Sequence, residues 1–299
     1  MKAITFAGYG APDVLTVSEV PLPEPGPGQV RVAVRSAGVN PIDWKIRSGA
    51  IQAFFPVPLP HTPGLELAGV VDVAGPDTDL SPGDEVFGWS DTGAYAEYAL
   101  ATVLARRPAG LSWPDAASLP IAGAAAVRDL EALAVLAGET LLILGAGGTT
   151  GRFAAQVAVA RGATVIGVAG ARHHDDLRAL GVRPVSYDDG WTGRVREAAG
   201  APIDAVYDTA GHGLLHGAVE LRGGPERIIT IADPATAGAL GVANATGGEQ
   251  SRAVLDEVAR WVTERGVRIV HAGAYPLADA AAAHTASESG RPGKLTLRP

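Results

Sequence analysis

Residues 140–151, TLLILGAGGTTG, constrain the fold more than any other stretch of the chain. Leu141, Leu142, Ile143 and Leu144 form a short unbroken apolar run, the pattern of a strand covered on both faces. Gly145, Gly147, Gly148 and Gly151 follow at once, with Thr149 and Thr150 among them. Residues 152–161, RFAAQVAVAR, then place Phe153, Val157 and Ala160 at helical spacing, Gly162 ends that helix, and 163–168 supply a second apolar run. Strand, glycine turn, helix and strand make the opening of a βαβ unit. Glycines let a backbone approach phosphate oxygens closely, and a helix N-terminus presents unpaired N–H groups and partial positive charge. In this context the turn reads as a dinucleotide-binding fingerprint rather than a bare strand–helix connection.

The residue that follows the second strand bears on which dinucleotide is bound. An Asp or Glu there accepts from the ribose hydroxyls of NAD. Here the strand runs out through Val168, Ala169, Gly170 and Ala171 to Arg172, with no acid. A guanidinium matches phosphate oxygens with a fork of donors, so Arg172 favours a 2′-phosphate and NADPH over NADH. His173 and His174 either flank the adenosine phosphate or are solvated. Asp208, Thr209 and Ala210, in VYDTAG, end a later sheet strand, at the edge where doubly wound folds hold cofactors, and are expected to contact the nicotinamide end.

Composition narrows the rest. A chain of 299 residues is long enough for two domains, and 47% hydrophobic with 19% charged residues is globular. A net charge of −8 argues against nucleic acid or an anionic membrane surface as partner. With no cysteine there is no disulfide, zinc–thiolate site or cysteine nucleophile. His212 and His216 are four apart, but no third ligand stands near them, so no metal site is expected. The first residues, MKAITFAGYG, contain no apolar leader, which predicts a cytoplasmic protein.

Along the chain, 1–118 read as a β-rich, barrel-like domain of short strands separated by Gly/Pro turns. Residues 29–37 alternate, with Val30, Val32 and Val34 on one face and Arg31, Ala33 and Arg35 on the other, as in a half-buried strand. Residues 93–98 alternate again. Residues 42–47 are expected to form one short helix with Pro41 at its first position. From 119 to 264 helices and strands alternate, which predicts a parallel, doubly wound α/β sheet. Residues 251–264 make an amphipathic helix, and 265–299 return as strand–helix–strand to complete the first domain.

Several segments together resemble the zinc-independent quinone oxidoreductases of the medium-chain dehydrogenase/reductase superfamily. They are GYGAPDVLTVSEVPLPEPGPGQVRVAVRSAGVNPIDWKIRSG, PGLELAGVV, PGDEVFG, GAYAEYA, LLILGAGGTTG, VYDTAG and RPGKLTLRP, in the family's order over nearly the whole chain. The resemblance implies a GroES-like catalytic domain, a Rossmann domain, a cleft between them, NADPH-dependent reduction of quinones or activated alkenes, and a homodimer. It departs at Thr149 and Thr150, where the family usually has Gly and Val, and at Ala50, where many members carry a tyrosine. Leu65 before Glu66 stands where alcohol dehydrogenase relatives have a zinc-ligating His.

The chemistry implied is hydride transfer to an electron-poor carbon, with negative charge developing on the conjugated oxygen. The resemblance sets Asn40, Asp43 and Lys45 against the cleft: Asn40 on the nicotinamide ribose or the substrate, Lys45 as donor or charge stabiliser, and Asp43 orienting it. Purely structural roles for these residues stand beside that reading. Phe54, Trp89 and Tyr95 are candidates to line a flat substrate pocket. An enoyl reductase and a non-catalytic NADPH-binding protein are the alternative functions.

Overall fold

The computed structural model describes residues 1–245 and 248–299, and its strands fall into three sheets. The first seven strands are β1 (Lys2–Thr5), β2 (Thr16–Glu19), β3 (Val30–Val39), β4 (Glu66–Ala74), β5 (Glu85–Trp89), β6 (Tyr98–Ala101) and β7 (Leu104–Arg106). Strands β1 and β2 pair antiparallel by themselves. The others form an antiparallel array around β3, which pairs with both β4 and β6 through its first half. On the polar face of β3, Arg35 stays exposed while neighbouring segments close over Arg31. The alternation over 29–37 therefore does not leave Arg31 in water. Its guanidinium is buried and donates to Asp72 Oδ2 at 2.7 Å, Glu24 Oε1 at 3.0 Å and the Pro23 carbonyl at 3.1 Å. The alternation over 93–98 yields a strand only from Tyr98 onward.

Three helices follow from local chemistry in this region: α1 (Pro41–Ser48), α2 (Trp113–Ala116) and α3 (Leu119–Ala132). Asn40, extended at φ −124° and ψ 156°, caps α1, and Pro41 occupies the first position where no N–H is needed. Asp43 accepts the Asn40 N–H at 2.7 Å, and Gly49 closes the helix at φ 79°.

The second sheet is wholly parallel. It uses β8 (Thr140–Leu144), β9 (Thr164–Val168), β10 (Arg183–Val185), β11 (Ala205–Asp208), β12 (Ile228–Thr230) and β13 (Ala243–Asn244), in the order β10-β9-β8-β11-β12-β13. This is the doubly wound arrangement expected, with the order reversing between β8 and β11. Between the strands run α4 (Thr149–Ala160), α5 (His174–Ala179), α6 (Trp191–Ala199), α7 (Leu215–Arg222) and α8 (Pro234–Leu240). Strand β8 is buried along its full length, as its unbroken apolar run predicts.

Then come α9 (Arg252–Thr263), β14 (His271–Pro276), α10 (Ala280–Glu288) and β15 (Lys294–Arg298), the last pairing with β3. The chain divides into two compact units. One comprises Met1–Ile121, Gln250–Thr263 and Ile269–Pro299, and the other Ala122–Glu249 and Glu264–Arg268. Helix α9, expected with the doubly wound domain, groups instead with the first unit. It packs on β7, and Arg252 pairs with Asp79 at 2.5 Å. Among the described residues no helix is long and apolar enough to cross a membrane.

Candidate functional site

In the second unit the glycine turn leaves β8 at the reversal point of the sheet, where open α/β folds bind ligands. Gly145 has φ +84°, and a Cβ there would lie 2.7 Å from Thr209 Oγ1. A Cβ on Gly147 would meet the His173 ring at 2.5 Å, and one on Gly151 would meet the Gly145 carbonyl at 2.4 Å. The turn is thus closed against its own backbone and neighbours, and only glycine fits. Gly148 caps α4 without any side-chain hydrogen bond, so the first-turn N–H groups of Thr149, Thr150 and Gly151 are left for a ligand.

The end of β11 is fastened to the same turn. Thr209 Oγ1 donates to the Leu144 carbonyl at 2.9 Å and to that of Gly145 at 3.3 Å. Buried Asp208 accepts from the Ala210 and Gly211 N–H groups at 3.0 and 3.2 Å and from Thr230 Oγ1 at 2.7 Å. Its carboxylate is therefore consumed in shaping the loop, while Thr209 and Ala210 stand beside Gly145. The structure brings the expected residues 145–151 and 208–210 together, with a positioning role for Asp208.

Arg172 lies on a short 3-10 turn, Ala171–His173, just past β9, and its side chain is exposed. His173 is not solvated: it is buried beside Gly147. Arg172 Nε sits 3.3 Å from its Nε2 and Arg152 Nη2 3.5 Å from its Nδ1. Burial, then the two guanidinium groups, lower the His173 pKa, so the ring is held neutral. Arg152 is tied to Asp176 at 3.2 Å. The turn, the start of α4 and Arg172 form a set of donors that fits a dinucleotide phosphate, and a nicotinamide dinucleotide would be held by these groups.

In the first unit, Asn40 and Asp43 are buried at the start of α1. The hydrogen bonds of Asp43 run to Asn40 and Tyr95 rather than to Lys45. Asp43 Oδ2 accepts from Tyr95 Oη at 3.2 Å as well as from the Asn40 N–H. Burial raises its pKa to about 7, against the opposing hydrogen bonds and the charge of Lys294. Lys45 is half-buried, with its ammonium 5.8 Å from the Trp44 ring centroid. Tyr95 is a core residue whose hydroxyl is committed to Asp43 and, at 3.3 Å, to His284 Nε2. Trp89 is buried in β5, and Phe54 is 82% exposed beyond α1. The three residues expected to line one pocket thus sit in three different settings.

Three buried groups were not singled out from sequence: Glu66, Lys294 and His284. Lys294 Nζ and Glu66 Oε1 form an ion pair at 2.5 Å, and both bond the Asn40 side chain. The available signal was a charge at the edge of otherwise apolar strands, in GLELAGVV and GKLTL.

Compared with known proteins, residues 26–107 match the alcohol dehydrogenase GroES-like domain and 170–296 the zinc-binding dehydrogenase domain. The chain is 39% identical to the quinone oxidoreductase of Sus scrofa over 59% of its length and 55% of that enzyme's. It is 31% identical to the chloroplastic quinone-oxidoreductase QR1 of Triphysaria versicolor, over 70% of this chain and 68% of the relative. The chain therefore spans between about half and two thirds of these relatives' lengths. A mycobacterial structure complexed with NADPH superposes with a TM-score of 0.88 at 29% identity, covering 100% of both chains.

Proposed function

Because the chain belongs to the quinone oxidoreductase family of the medium-chain dehydrogenase/reductase superfamily, we propose that it is an NADPH-dependent, zinc-independent reductase of quinones or activated alkenes. The observation that carries this reading is the uncapped glycine turn at the reversal point of the parallel sheet, with Arg172 standing where an NAD site has an acid.

NADPH, when bound, supplies a hydride to an electron-poor carbon of the acceptor. The chain's own contribution is to hold and orient. The first-turn N–H groups of α4 would hold the pyrophosphate, and Arg172 would pair with the 2′-phosphate. Thr209 and Ala210 border the turn next to Gly145. As the conjugated oxygen becomes negative, the Asn40 amide donates a hydrogen bond to it, Lys45 adds positive charge, and water delivers the final proton. Zinc has no place in this scheme. The chain lacks cysteine, and the Glu66 carboxylate is occupied by Lys294. We read the protein as a homodimer, in line with the resemblance.

The test is the initial rate of NADPH oxidation by the purified protein with a simple ortho-quinone, beside a small enone and a control without acceptor. Consumption with the quinone supports this reading. Consumption with the enone alone moves it to an enoyl reductase, and NADPH binding without turnover to a non-catalytic binder.

A further inference from the structure

Three polar side chains from distant parts of the chain meet inside the first unit. Asn40 follows β3, Glu66 begins β4 and Lys294 begins β15, and they are 5%, 0% and 2% exposed. Asn40 Oδ1 accepts from Lys294 Nζ at 2.5 Å, and Asn40 Nδ2 donates to Glu66 Oε1 at 2.8 Å. Lys294 Nζ also donates to Glu66 Oε1. The second carboxylate oxygen, Oε2, accepts the Ile121 N–H at 2.8 Å, one of the orphan donors in the first turn of α3. Gly38 makes room for the group: a Cβ there would stand 2.0 Å from Glu66 Oε1.

This arrangement leaves the Asn40 amide one orientation. Reversed, its NH₂ would face the ammonium and its carbonyl the carboxylate, replacing two attractive contacts by two repulsive ones in a dry environment. One Nδ2 hydrogen is given to Glu66, and the other has no acceptor among the described residues. A buried ion pair adds little stability over an apolar pair of the same size. Its effect here is on the direction of a neutral amide.

We propose that Lys294 and Glu66 are positioning residues that lock the Asn40 carboxamide, so that its uncommitted Nδ2 hydrogen is the one presented to the acceptor oxygen during hydride transfer. The proposal rests on the reading of Asn40 given above and adds what makes that donor rigid. A donor held in place before the reaction stabilises developing charge without reorganising; a donor free to rotate does so less well.

The experiment uses the full-length protein and the double variant Lys294→Met with Glu66→Gln, which removes both charges together and so leaves neither buried alone. NADPH affinity is read by fluorescence titration, and kcat and KM with an ortho-quinone. NADPH affinity and the quinone KM are expected to stay near the wild-type values while kcat falls by about tenfold or more. Independently, the Asn40 side-chain amide signals, assigned by their loss in Asn40→Ser, should show one proton protected from exchange in the wild type and none in the double variant. A folded double variant with wild-type kcat, or with unchanged Asn40 signals, overturns the proposal. If the double variant does not fold, Lys294→Arg, which keeps the charge but relocates the donors, is read by the same two measurements. If the wild-type protein reduces neither quinone nor enone, the functional reading fails, and the amide signals alone decide the positioning.

Discussion

Asp43→Asn offers a test of the buried carboxyl in which the direction of the effect is fixed by its environment. The carboxyl is buried, and its pKa rises from 3.8 to about 7, chiefly through desolvation. Below pH 3.8 the group is protonated folded or unfolded and has no effect. As pH rises toward 7 the unfolded chain loses the proton while the folded chain keeps it, so stability falls across that interval and levels off above it. Linkage puts the penalty at about 2 kcal/mol at pH 5 and about 4 kcal/mol at pH 8. Asparagine is a near-isostere of the neutral acid: its carbonyl can accept from the Asn40 N–H and Tyr95 Oη, and it carries no penalty at either pH. The variant's advantage over the wild type should therefore grow by about 2–3 kcal/mol from pH 5 to pH 8, or about 5–10 °C in melting temperature. The difference between the two proteins is the quantity to read, because His284 acts in the opposite sense. Burial, and then the charge of Arg47, lower its pKa from 6.5 to about 3, so it destabilises the fold as pH falls below 6.5. At pH 5 that loss is about 2 kcal/mol, which nearly hides the Asp43 effect in the wild type alone. Scanning fluorimetry of both proteins at the two pH values decides the matter. An advantage that is equal at both, or larger at pH 5, refutes a neutral buried Asp43.

Arg172→Ala should weaken NADPH binding by about 10- to 100-fold, the value of a charge-assisted pair, and leave NADH nearly unchanged; titration calorimetry showing equal losses removes Arg172 from the phosphate site. Gly151→Ala places a Cβ 2.4 Å from the Gly145 carbonyl and should abolish dinucleotide binding while lowering the melting temperature. Lys45→Met should lower quinone turnover several-fold with NADPH affinity retained, and unchanged turnover would leave Lys45 a surface residue. Tyr207→Phe removes the 2.7 Å hydrogen bond to buried Asp129 and should cost about 1–3 kcal/mol in urea unfolding, because Arg128 then stands alone with that carboxylate.

The parallel sheet and its glycine turn were legible because their signals are local. An apolar run, glycines at the turn and a helical stripe lie within 30 residues of each other, and the strand order then follows from right-handed βαβ connections. The meeting of 145–151 with 208–210 was legible for the same reason: each segment lies at the C-terminal end of a recognisable strand. Less legible were the surroundings of individual side chains. Arg31 reads as solvent-facing from its alternation, yet acids at 24 and 72 close over the guanidinium. Tyr95 reads as a pocket residue from its segment, yet two partners distant in sequence bury its hydroxyl.

The lock on Asn40 shows why such groups escape a sequence reading. Its three members are separated by 26 and 228 residues, and no periodicity links them. Each taken alone has an ordinary explanation: Asn40 as a helix cap, Glu66 as a charge at a strand end, Lys294 as a solvated residue near the end of the chain. Only the β3–β4 and β3–β15 pairings, which place the start of β4 and of β15 beside the end of β3, turn three unremarkable residues into one buried unit. The register of those strands is set by the apolar faces that must be covered. The geometry of the Asn40 donor is therefore a consequence of core packing. Substitutions that slip β15 against β3, such as Leu295→Asp or Leu297→Asp in that fully buried stretch, should disturb turnover as well as stability. Turnover per folded molecule that is unaffected in such variants would show that the lock forms without the register.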